Sequence, residues 1–338
     1  MHSLHLAAQD PFDRFRDIYL ALDGDACWWS DGAWLRFAAQ AAVLSSRTPL
    51  DTAQAIRVMA DHLKRHAHWY EALSSPLNLV VAATLVRNNE SVDTFNAEMT
   101  SSFHMLHEAG LSLGGTALIK TVLAMRTLSE GVPMSAEGVQ RIRQLYGIMK
   151  SKHWWIIGTG DICVCALLAS SNGLSPVIAG IAEAIYLRLL DRGFSRGHHV
   201  LIAANILSLA NSAPTTAADH FLTLIDRVHS LGLALVTENY DALALLSLLG
   251  HEPERIAVRL DIMMKAMQAL KPLPCAAINV SIAADLVFLE MVRLDGDLHE
   301  LCDPAAIERK NQLIRYQSAI SLMMVDVPQV QLLLAPSM

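Results

Sequence analysis

Leu111-Ser112-Leu113-Gly114-Gly115 opens an apolar run after His107-Glu108-Ala109-Gly110, and Phe194-Ser195-Arg196-Gly197 opens another after Asp191-Arg192-Gly193. Ser112 and Ser195 lie 83 residues apart. A period of this length marks units that cannot bury their own apolar face and must stack on a neighbour. It predicts a solenoid-like or α/α toroid-like helical array rather than a compact catalytic fold.

Outward from these junctions, apolar periodicity gives helices nearly everywhere and no alternating strand pattern of useful length. The segments 30–44, 50–66, 76–87 and 92–109 form a first group of four. The second is 115–128, 135–152, 161–170 and 175–192, and the third 196–210, 215–231, 240–249 and 253–270. A shortened fourth holds 276–293, 303–316 and 318–325. The expected organisation is therefore all-α. Residues 1–29 form a lead-in with a helix at 11–22, and 30–338 form one repeat domain of helical hairpins. Its four units of roughly eighty residues run over 30–110, 111–193, 194–274 and 275–338, the last join falling near 272–274.

Punctuation agrees with these limits. Thr48-Pro49, Ser175-Pro176 and Asp303-Pro304 read as an N-cap followed by proline at the first helical position. Gly110, Gly193 and Gly250 stand where left-handed C-terminal caps belong. Polar positions also recur. Gln40, Asn205 and Asp285 follow Ala-Ala pairs in the first helices of three units, where a polar group needs a partner and inter-repeat hydrogen bonding is expected. Asn78, Asp161 and Asp241 open third helices, which fits capping.

Composition narrows the function classes. The chain has 338 residues, 53% hydrophobic but only 6% aromatic, so its apolar weight lies in small and aliphatic side chains suited to close helix packing. Mean hydropathy is +0.32, which raises the question of membrane spans. The longest uncharged stretch, 162–182, is interrupted by Ser170-Ser171-Asn172-Gly173 and Ser175-Pro176, and a span needs roughly 20 unbroken apolar residues. Net charge is −7, and the only basic cluster, His62-Leu63-Lys64-Arg65-His66, is short, so a nucleic-acid surface is not expected. Five cysteines (Cys27, Cys163, Cys165, Cys275, Cys302), odd in number and without a secretory signal ahead of them, fit reduced thiols in a cytoplasm.

The stretch Leu189-Leu190-Asp191-Arg192-Gly193-Phe194-Ser195-Arg196-Gly197, continuing to Ile202-Ala203-Ala204, resembles a bacterial family known as domain of unknown function 4003. So does Glu238-Asn239-Tyr240-Asp241-Ala242-Leu243-Ala244-Leu245-Leu246, similar to that family's acidic-Tyr helix opening. The likeness runs from about Trp34 to Leu249, and Thr159-Gly160-Asp161-Ile162 lacks the aromatic that Tyr240 supplies. It implies a helical repeat protein, bacterial and cytoplasmic, and implies no chemistry.

Candidate chemistry is sparse. His62/His66 and His104/His107 sit at helical spacing, but zinc wants three or four converging ligands and neither pair forms HExxH, so no metal or other cofactor is expected. Cys163 and Cys165, two apart, face different sides of a helix and are not a CxxC pair. His198-His199 after Arg196-Gly197 and Gly114-Gly115 mark tight junctions without the fuller phosphate-loop pattern. Lys152-His153-Trp154-Trp155 is the strongest local oddity, joined by Cys27-Trp28-Trp29 with Trp34, and by His68-Trp69-Tyr70; such aromatics either anchor partners or plug layer ends. No catalytic triad can be assigned. If the units closed into a ring, Asp161, Asn239, Asp241 and His153 would line a central pocket.

Two functions follow. The leading expectation is a protein- or peptide-binding scaffold with a groove between helix layers. The alternative is an enzyme or small-ligand binder with a polar pocket at the centre of an α/α toroid. Trp154, Trp155, His153, Asp161, His199, Asn239 and Asp241 are the candidate binding residues. The surplus of Ala, Leu and Met is also compatible with a homo-oligomer interface.

Overall fold

A computed structural model of the protein describes residues 9–24, 32–65, 71–210, 212–270, 276–294 and 303–325. Among these residues the chain forms fifteen α-helices and no strand. They are α1 (Pro11–Asp23), α2 (Gly32–Ala41), α3 (Pro49–Arg65), α4 (Leu77–Asn88), α5 (Val92–Glu108), α6 (Gly115–Leu128), α7 (Ala136–Lys152) and α8 (Ile162–Ala169). The rest are α9 (Ser175–Asp191), α10 (His198–Leu207), α11 (Pro214–Ser230), α12 (Tyr240–Ser247), α13 (Pro253–Gln268), α14 (Ala276–Leu294) and α15 (Pro304–Met324). No helix among them is long and apolar enough to cross a membrane. Cys27-Trp28-Trp29, His68-Trp69-Tyr70, His66, Cys275, Cys302 and the join at 272–274 lie outside the described residues.

Even- and odd-numbered helices differ because their sequences do. In α4 every residue from Leu77 to Val86 is buried, and in α8 every residue from Ile162 to Leu168, since neither stretch offers a polar face. By contrast α3 buries the stripe Thr52, Ala53, Ile56, Ala60 and Leu63, and α13 the stripe Ile256, Ala257, Leu260, Met263 and Met267. These follow the 3.6-residue period of a helix with one face in water. The even helices pack in succession: α2 on α4, α6 on α8, α8 on α10, α10 on α12, and α12 on α14. The odd helices flank them, with α7 on α9, α9 on α11 and α11 on α13.

The last described elements pack against the first: α14 meets both α2 and α1. Specific bonds join them. Arg36, fully buried on α2 and held over the Tyr19 ring at 4.6 Å, donates to the Leu270 carbonyl at 2.8 Å. Gln40 donates to Asp285, and Arg293 reaches Asp10 at 3.1 Å. The C-terminal half of α15, buried at Ile314, Tyr316, Gln317, Ser318, Ala319, Ile320 and Leu322, packs among α2, α6, α8, α12 and α14.

Caps explain many of the limits. Thr48 accepts from the Asp51 N–H at 3.2 Å and Asp303 from Ala305 at 2.9 Å, while Gly110, Gly193 and Gly250 take positive φ as the sequence implies. Ser175 departs from expectation: it lies inside α9, uncapping, and donates to Gln144 at 3.1 Å. The break expected at residue 317 is absent. There α15 continues, since neither glycine nor proline interrupts it, and Ser321 one turn on shares its hydroxyl between the Gln317 carbonyl and Asp285.

Candidate functional site

Two short segments precede even-numbered helices with the same local chemistry. A 3-10 turn over Thr159–Asp161 leads into α8, and one over Thr237–Asn239 leads into α12. The Gly158 N–H donates to Asp161 Oδ2 at 2.8 Å, and the Val236 N–H to Asn239 Oδ1 at 3.2 Å. The structural counterpart of Asp161 is thus Asn239, two residues before Asp241, which the sequence had paired with it. Asn78 also departs from the capping expectation: it is buried in α4 and its amide has no hydrogen-bond partner among the described residues.

The shared position diverges in what the second side-chain atom does. The Asn239 amide, a donor, turns to the Ala277 carbonyl of α14 at 3.0 Å. The Asp161 carboxylate, an acceptor, pairs instead with His198 Nε2 on α10 at 2.7 Å. His198 stacks edge-on to His199 with ring centroids 5.5 Å apart.

Asp161, His198 and His199 border a cavity of about 290 Å³ that Glu238, Asp241 and Lys120 also reach. Phe37, Val164, Ile202 and Met323 supply an apolar wall. The cavity is therefore bounded by α2, α6, α8, α10, α12, α14 and α15 together. Asp241 is 9% exposed. Its Oδ1 accepts the Ala242 N–H at 3.0 Å, and its second oxygen has no hydrogen-bond partner among the described residues. Burial pushes its pKa up to about 7, opposed by backbone N–H groups and His198. Lys120, the one lysine of the lining, donates its ammonium to the carbonyls of Met323, at 3.3 Å, and Val325 at the end of α15, so its position is fixed from that side. Cys163 borders the cavity as well, its thiol pushed up to about 12 by burial.

The sequence-predicted residues thus divide into two places. Asp161, His199 and Asp241 line the cavity, with Asn239 buried behind it. His153, Trp154 and Trp155 do not: they follow directly after α7, the histidine buried and the two tryptophans exposed. His153 is buried against Glu183 of α9 at 2.7 Å and against the Tyr186 ring at 4.9 Å. Trp154 and Trp155 are 71% and 50% exposed, edge to face at 5.9 Å, so they do not plug the layer. His104 and His107 are exposed and flank the Phe103 ring. No group of three or more His, Cys, Asp or Glu side chains among the described residues converges as metal ligands do.

Sequence reasoning missed Glu238 and Lys120 at the cavity and read His198, with His199, only as marking a tight junction at a helix start. His198 had one usable signal. It begins an inner helix 37 residues after Asp161, one helical hairpin later, so a hairpin period rather than the eighty-residue one would have aligned the two.

The sequence model of a family described as a protein of unknown function (DUF4003) matches residues 18–296. Comparison with curated proteins and with solved structures gives no match.

Proposed function

The chain belongs to the DUF4003 family, and we propose that it is a small-molecule-binding protein or enzyme whose site is the polar cavity among its buried helices. The architecture we infer is an α/α toroid of helical hairpins, in about four units with the joins near Gly110, Gly193 and 272–274. The packing of α14 on α2 and α1 supports closure, and the position of α15 amid five even-numbered helices makes it the filling of one end. An open groove would not bring α2, α8 and α12 to one space.

The observation that carries the reading is convergence: Asp161 from the turn before α8, Glu238 and Asp241 from the turn before α12 and its first residues, and the half-exposed His198 of α10 border one cavity of about 290 Å³. That size lies at the lower end of the roughly 300–1,000 Å³ usual for small-molecule sites. One of these carboxyl groups, Asp241, is nine-tenths buried with an oxygen that no described protein group bonds, which is costly unless a ligand or solvent answers it. The test is thermal unfolding of the full chain against a panel of sugars, amino acids, amines and carboxylic acids. A ligand for this site raises Tm with concentration, and the rise is absent in Ile202→Phe, which fills the cavity. A panel with no effect on the wild type, or effects unchanged in Ile202→Phe, removes the reading.

A second reading, a protein or peptide partner, rests on the exposed Trp154–Trp155 pair, since adjacent tryptophans in water are typical anchors. Selection of peptides from a displayed library should enrich binders that the Trp154→Ala/Trp155→Ala double variant loses. Equal binding by that variant discards it.

A further inference from the structure

Taking the cavity reading as given, we infer that the ligand is a small organic cation: an aliphatic primary amine or diamine whose ammonium is received by Asp241 and Glu238. The lining of the cavity includes three carboxyl groups, Asp161, Glu238 and Asp241. Against them stand one ammonium, Lys120, held by two carbonyl oxygens of α15, and the His198 imidazole, paired with Asp161, so carboxyl groups outnumber the basic ones. Asp241 is the key group: nine-tenths buried, lining the cavity, with one carboxyl oxygen unpartnered among the described residues. A bound ammonium supplies the missing donors. The apolar part of the lining suits the rest of such a molecule, since Phe37, Val164, Ile202 and Met323 offer methylene-sized contacts.

The opposing term is the field of the helix ends. α8, α10, α12 and α14 all begin beside the cavity, and helix N-termini favour anions. At α12 the Ala242 N–H is taken by Asp241, and at the turn before α8 the Gly158 N–H is taken by Asp161. Those two positive ends therefore hold the protein's own carboxylates in place rather than a free anion. A metal cation is not favoured, because the side chains do not converge as a ligand shell.

Protonation gives the inference a signature. The ionisable groups facing Asp241 are Glu238 beside it, His198 and His199 from α10, Asp161 and Cys163 around the start of α8, and Lys120 from α6. With its carboxyl titrating at about 7, Asp241 is mostly neutral at pH 6 and mostly ionised at pH 8, while an alkylamine stays charged throughout. Amine affinity should therefore rise roughly tenfold over that interval.

The experiment is calorimetric titration of the full chain with 1,4-diaminobutane, 1,4-butanediol and succinate. The expected result is binding of the diamine in preference to both others, tightening from pH 6 to pH 8. In Asp241→Asn, which keeps the acceptor for the Ala242 N–H, diamine affinity should fall at least tenfold without loss of Tm. Preferential binding of the diol or of succinate overturns the cation assignment but leaves the cavity reading standing. Absence of diamine binding likewise overturns it, and the broad panel then decides the cavity reading by itself. Undiminished diamine binding in Asp241→Asn also overturns it.

Discussion

Asp241 and Asp285 are both buried aspartates on even-numbered helices, and they do opposite things. Asp285, 0% exposed on α14, is answered by the protein: Gln40 of α2 donates to one oxygen, and Ser321 of α15 to the other at 2.6 Å. The space beside it is only about 10 Å³, room for a single water at most. Asp241 opens on about 290 Å³ and keeps one oxygen unmatched. Burial raises both pKa values, to about 6 for Asp285 and about 7 for Asp241. A raised pKa alone does not separate a structural carboxyl from one kept for a ligand. The separation comes from where the partners are.

The sharpest break in this comparison is removal of the side chain at each position. Asp285→Ala strands the Gln40 amide, removes the Ser321 bond between α15 and α14 and unties α2 from both, which should cost about 2–4 kcal/mol in denaturant unfolding. Asp241→Ala strands no side-chain partner and should cost under about 1 kcal/mol. Equal losses at the two positions would erase the distinction drawn here.

The pH dependence sharpens it further. Both carboxyls have folded pKa values above the ordinary aspartate value of 3.8. Between that value and their folded pKa the folded state holds a proton that the unfolded chain has released. Their stabilising contribution is therefore fully present below about pH 4 and is lost as pH rises through about 6 for Asp285 and about 7 for Asp241. Replacing Asp241 with Asn removes its share, so the stability of Asp241→Asn relative to wild type should climb between pH 4 and pH 7. Unfolding curves at several pH values measure this, and a flat difference would mean that Asp241 is better solvated than its burial implies.

The contrast also shows what the sequence could disclose. Helix limits were legible because apolar period, caps and left-handed glycines are local, and the structure keeps Gly110, Gly193 and Gly250 in that role. The Gln40–Asp285 bond was legible as a type of interaction, polar groups in Ala-rich helices seeking one another, but not as a pair, since 245 residues separate them. Asp161 and Asp241 were expected in one pocket only if the units closed into a ring, and what brings them to one cavity is the packing of α8, α10 and α12, which no local pattern states. Their supposed equivalence failed by two residues because the 3-10 turn ahead of each helix, which sets the register, leaves no apolar period to read. Lys120 gave no signal at all: a lone lysine in an apolar helix shows its purpose only when the end of α15 arrives beside it.

Asn205 tests the remaining case, a buried polar group with neither protein partners nor a role at the cavity. It belongs by position to the Gln40 and Asp285 set, yet its side-chain oxygen and nitrogen both lack hydrogen-bond partners among the described residues, and it is 1% exposed on α10. Its amide therefore carries a desolvation penalty that nothing in its surroundings returns. Leucine is near enough in shape to fill the same space while discarding that penalty, and a strained fit costs on the order of 1 kcal/mol. Asn205→Leu should accordingly leave unfolding stability unchanged or raise it by about 1 kcal/mol, and leave ligand binding at Asp241 untouched. A loss of 2 kcal/mol or more, beyond what overpacking explains, would show that Asn205 is answered by something buried beside it. It would then join Asp285 among the groups that hold the helices together.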